Sequence, residues 1–85
     1  MKMNVKKNLT FNVIFQAESE GGFTALVPSL PGCISYGKTL SIAKAMILDA
    51  ISCYIGSMVK AGEKIPQGDK ETFVSTVDFV APIHA

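Results

Sequence analysis

From Thr39 to Gly62 the chain carries a stretch with both ends of a helix written into it, and in 85 residues that one element limits everything else. Leu40 to Ala61 would reach about 33 Å at a rise of 1.5 Å per residue. Thr39 can place its hydroxyl on a free amide of the first turn, and Gly62 is the residue type expected just past the last one. Ala43, Ile47, Ala50, Ile51, Tyr54 and Met58 recur at the 3–4 spacing of a single core-facing stripe. A helix this long needs a surface to lie on, and the remaining residues have room for one small sheet. One domain over residues 1–85 is expected, since autonomous domains rarely fall below about 50 residues.

The sheet is legible in a period of two. Leu9, Phe11, Val13, Phe15 and Ala17 alternate with Thr10, Asn12, Ile14 and Gln16, so the odd set should face a core and the mainly polar even set should face away. Glu18 to Gly22 supplies turn chemistry, and Phe23, Ala25 and Val27 repeat the alternation, which makes a hairpin. Pro31-Gly32 suits the centre of a type II turn, Pro fixing φ and Gly accepting a positive one. Cys33 to Lys38 should return as a third strand, with Gly37 marking a bulge or a close backbone approach. After the helix and a polar connection with Pro66 and Gly68, Phe73, Val77 and Phe79 predict a fourth strand with Asp78 on its opposite face. The expected fold is α+β in the order βββαβ. It is an antiparallel three-strand meander plus one parallel edge strand, with one long helix on one sheet face and a mostly polar opposite face.

Charge removes several functions. Eight lysines stand against seven carboxylates for a net +1, and there is neither Arg nor Trp. Such a chain lacks the basic footprint, the guanidinium fork and the stacking surface of a nucleic-acid reader, so no direct nucleic-acid binding is expected. Lys2, Lys6 and Lys7 read as a solvated terminus. Cys33 and Cys53 with the lone His84 fit no zinc spacing and read as small hydrophobes, so neither metal nor cofactor is expected. The apolar runs fall far short of the roughly 18–20 residues of a membrane span, and no signal-peptide pattern opens the chain. A cytoplasmic protein without membrane contact is the expectation.

At Glu20-Gly21-Gly22-Phe23, Val27-Pro28, Leu30-Pro31-Gly32-Cys33, Gly37, Thr39 and Ala43, and later at Asp49-Ala50-Ile51, Gly62-Glu63 and Ile65-Pro66, the chain resembles the HicB-like antitoxin family. The likeness covers most of residues 9 to 80 and lies in the order of these short motifs, each of which also has a local role in a turn, cap or close approach. The resemblance implies a partial RNase H-like fold that binds and blocks HicA, a small mRNA-cleaving toxin, in a type II toxin–antitoxin pair, without being an enzyme. Family members often add a C-terminal DNA-binding domain, which this short form is expected to lack. They also commonly place Glu three residues after the capping Thr, where this chain has Ile42.

Three readings compete. In the first, the chain is an antitoxin-like contact protein. Its candidate partner interface is the acidic hairpin tip at Glu18 and Glu20 with Thr10, Asn12 and Gln16 on the adjoining sheet face. In the second, it is a solitary homo-oligomeric structural or regulatory protein without a toxin. A second helix stripe of Leu48, Ile55 and Val59 supports self-association, as a dimer or higher, because one sheet cannot easily cover both stripes. In the third, the RNase H-like resemblance would imply a metal-dependent nuclease. Glu18, Glu20, Asp49, Glu63, Asp69, Glu71 and Asp78 are too scattered for that and read as solvated surface, and His84 lies too near the terminus to serve a triad. No catalytic residue is assigned.

Overall fold

The computed structural model describes residues 8–83. Three strands, β1 (Ile14–Ala17), β2 (Phe23–Leu26) and β3 (Ile34–Gly37), precede one helix, α1 (Leu40–Ala61). The strands form an antiparallel meander in the order β1-β2-β3, with Phe15 opposite Ala25 and Ala25 opposite Ser35. The α+β class and the helix bounds stand as expected. β1 is shorter than the alternation from Leu9 suggested, although Phe11, Val13 and Phe15 all pack against the core.

Both helix ends close as their residue types require. Thr39 is extended, and its Oγ1 accepts the Ile42 amide at 3.1 Å. Gly62 sits at φ 71°, and the amides of Gly62 and Glu63 donate to Val59 and Met58 carbonyls at 3.1 and 2.9 Å. Those bonds satisfy carbonyls the helix alone leaves free. Ala43 and Ile47 are buried against the sheet with Ala25, Val27, Leu30 and Cys33. Ser35 Oγ, on the inner face, also donates to the Met46 carbonyl at 3.3 Å. By length and composition α1 is apolar enough to cross a membrane, which the short apolar runs did not suggest, because its polar residues are sparse and spread. Here it lies on the sheet, and much of its apolar surface remains exposed.

The loop from β2 to β3 is two turns in series. The Leu30 amide donates to the Val27 carbonyl at 3.0 Å and the Cys33 amide to the Leu30 carbonyl at 2.9 Å, which drops Leu30 into the core at 1% exposure. Pro31 and Gly32 occupy the centre of the second turn, with Gly32 at φ 85°. Open space surrounds a side chain at that position, so any penalty is conformational. Gly32→Val is expected to cost about 1–3 kcal/mol. An unchanged denaturant midpoint would show that the turn does not depend on the glycine.

Among the described residues the expected parallel fourth strand is not formed. Residues 71–83 are exposed and unpaired beside a three-stranded sheet. A parallel pairing begins at Asp69, whose amide donates to the Thr10 carbonyl at 2.6 Å as a first rung would. The next rung would take the Asn12 amide to the Asp69 carbonyl. Instead Asn12 donates to Asp69 Oδ2 at 2.8 Å, and Ser29 Oγ donates to the same oxygen at 3.1 Å. A side chain has replaced the backbone acceptor and the ladder stops, a competition open to Asp and Asn. Asp69 is therefore half-buried and structural, contrary to its reading as solvated surface.

Candidate functional site

The sheet register sorts the outer face into two rows. Gln16, Thr24 and Tyr36 lie side by side in one, and Ile14, Leu26 and Ile34 in the next. The second row is apolar across all three strands, with Ile14 45% and Ile34 59% exposed. This corrects the expectation of a mostly polar outer face. Ile14 was visible in the sequence as a break in the alternation, whereas Leu26 and Ile34 become its neighbours only once strand pairing is known.

Beyond the polar row stands the acidic tip. The Glu18 amide donates to the Gly22 carbonyl and the Gly21 amide to the Glu18 carbonyl, both at 3.0 Å, and Gly21 and Gly22 hold φ of 102° and 81°. Thr24 Oγ1 donates to Glu18 Oε1 at 2.7 Å, and the Tyr36 hydroxyl donates to the Gly21 carbonyl at 2.9 Å. The tip is thereby tied to β2 and β3, and with Ser19 and Glu20 it rims a shallow polar cleft of about 460 Å³. Of the sequence-derived interface residues, Glu18, Glu20 and Gln16 gather at this end. Thr10 and Asn12 lie at the other end of the β1 run, where Asp69 holds their backbone.

A second surface lies between β1 and α1. The helix packs over β3 and β2, so the inner face of β1 is left open as a groove of about 700 Å³. Phe11, Val13 and Phe15 form one wall and Ile47, Leu48 and Ile51 the other, with Ile55 at its lip. Leu48 is 68% exposed, and Ile55 is half-buried beside the connection at Ile65 and Pro66. Val59 is exposed but does not line the groove.

Cys33 is buried, and burial pushes its thiol pKa upward, as desolvation does to any group that ionises to an anion. Cys53 is exposed on α1 rather than packed in the core. Among the described residues no three of His, Cys, Asp and Glu gather as metal ligands. His84 lies outside the described residues, as do Lys2, Lys6 and Lys7.

On fold and surface alone, this is a small α+β domain with two apolar faces left open for contact. Comparison with known proteins places it more narrowly: the chain belongs to the family described as the HicB-like antitoxin of bacterial toxin–antitoxin systems, whose model matches residues 11–83. It is 40% identical over 63 residues to a UPF0150 protein of Thermoplasma acidophilum, covering 74% of this chain and 91% of that one. UPF0150 proteins of Synechocystis and Helicobacter pylori are each 33% identical. The first match covers 81% of this chain and 87% of the relative, the second 88% and 93%. Membership of this family carries an antitoxin role in general, and with it a toxin partner.

Proposed function

We propose that this chain neutralises a small HicA-type ribonuclease by covering it, with the outer sheet face as the contact surface and no chemistry of its own. The observation that carries this reading is the apolar row Ile14, Leu26 and Ile34 lying beside Tyr36 and the tethered acidic tip. Apolar and aromatic anchors supply most of the affinity in protein contacts, while a charged rim speeds encounter and sets orientation. Glu18 and Glu20 would meet a basic, RNA-binding partner in that role. With a net charge of only +1 on the antitoxin, salt should weaken the complex modestly. The chain acts in this reading as a cytoplasmic homo-oligomer, with Leu48, Ile55 and Val59 available for self-association.

Co-expression with the product of the adjacent reading frame is the test. Co-purification and rescue of growth arrest are expected. Failure of both would sink the antitoxin reading and leave a solitary homo-oligomeric protein. Rescue by a Glu18→Lys, Glu20→Lys variant would remove only the role given to the tip.

A further inference from the structure

We infer that two copies of this chain exchange their C-terminal segments, residues 71–83 of each lying along the free edge of β1 and in the β1–α1 groove of the other. The inference deepens the homo-oligomer reading above and rests on it.

The donor is a segment built to be covered. Phe73, Val74, Val77, Phe79, Val80 and Ile83 are between 81% and 92% exposed. As an extended segment it reaches about 43 Å at roughly 3.3 Å per residue. The family match runs to residue 83, so this segment belongs to the domain rather than to a linker. The chain's radius of gyration is 17.1 Å, against about 12 Å for a compact domain of this length. Its accessible surface is 7578 Å², against about 4,900 Å² for a compact monomer of this mass. Residues 71–83, with six large apolar side chains almost wholly exposed, contribute to that difference, and a standard interface buries about 800 Å² from each partner.

The acceptor has matching chemistry. β1 is a sheet edge, and an edge offers unpaired amides and carbonyls to an incoming strand. The groove beside it is walled by Phe11, Val13, Phe15, Leu48 and Ile51. In an extended tail Phe73, Val77 and Phe79 share one face, which can enter the groove, while Thr76 and Asp78 lie on the other face with Val74 and Val80.

Asp69 marks where the chain's own tail parts from the β1 edge: its Oδ2, rather than its carbonyl, holds the Asn12 amide and the Ser29 hydroxyl, and residues 71–83 beyond it join no strand. A tail from a second copy reaches Ile14–Ala17 with those bonds intact. Reciprocal exchange also closes as a two-fold dimer, the commonest closed assembly.

Light scattering at micromolar concentration is expected to give twice the 9.1 kDa mass of one chain. A Val77→Lys, Phe79→Lys variant should return to the single-chain mass while keeping its helical circular dichroism. A single-chain mass for the unaltered protein would overturn both the exchange and the homo-oligomer reading. To isolate the exchange, chains carrying Leu48→Cys are co-refolded with chains carrying Val77→Cys, both with Cys53→Ser, and treated with a short bis-maleimide. A cross-linked pair made of one chain of each kind is expected. A dimer without that product, or one that survives Val77→Lys with Phe79→Lys, would overturn the exchange alone.

Discussion

Gly37→Val is expected to cost about 3–4 kcal/mol, enough to leave much of a domain this small unfolded. Gly37 ends β3, two residues before the helix cap, and is buried where the strand meets the first turn of α1. A Cβ built there would lie 2.6 Å from Ala43 Cα and 2.8 Å from the Ile42 carbonyl carbon. Those neighbours are backbone, so no rotamer change can relieve the contact. The helix must lift from the sheet, which uncovers Ala43 and loosens Ile47. Gly37 adopts no positive φ, which separates its cost from the conformational one at Gly32. Gly37→Ala should therefore already be damaging, because one methyl group meets the same atoms. Urea titration followed by helical circular dichroism tests both variants, and an unchanged midpoint for Gly37→Ala would show that strand and helix are not in close contact there.

Features written locally were legible in the sequence, and features set by distant approach were not. Thr39 and Gly62 gave the limits of α1 because capping depends on a few adjacent residues. Pro31-Gly32 announced its turn for the same reason. The parallel fourth strand is not formed among the described residues, and the pairing ends at Asp69, whose carboxylate meets Asn12 across 57 positions of sequence and Ser29 across 40. The alternation in Phe73–Phe79 reads as a strand in either case and does not say whose sheet it joins. The apolar outer row was hidden for a related reason. Ile14, Leu26 and Ile34 each look like an isolated exception in their own segments, and only the register brings them together. The helix flank was partly legible: Leu48 and Ile55 do border an open groove, but its other wall is the Phe11–Phe15 stretch that leads into β1, which periodicity assigned to a closed core.

Ile34→Asp is expected to weaken toxin binding by about 100-fold or more, the loss typical of a residue anchoring an interface, while lowering the unfolding free energy by only about 1 kcal/mol, the scale of strand propensity and one cross-strand pair. Ile34 is 59% exposed, opens the edge strand β3, and faces away from the α1 side of the sheet. Its side chain therefore contributes little to folding and much to the outer surface. The sign of the new charge sharpens the reading. An aspartate at the far end of the sheet from Glu18 and Glu20 adds negative charge to the same chain, which should speed encounter with a basic partner rather than hinder it. A fall in affinity would then report lost apolar contact and not lost electrostatics, and it should appear mainly as faster dissociation. Tyr36→Phe is the companion variant. It keeps the ring at the edge of the apolar row and removes the hydroxyl bond to the Gly21 carbonyl, so it should loosen the acidic tip with a smaller effect on affinity. Surface plasmon resonance against the toxin, with denaturation of each variant alongside, separates binding from folding. Unaltered dissociation for a folded Ile34→Asp protein would move the toxin interface off the outer sheet face.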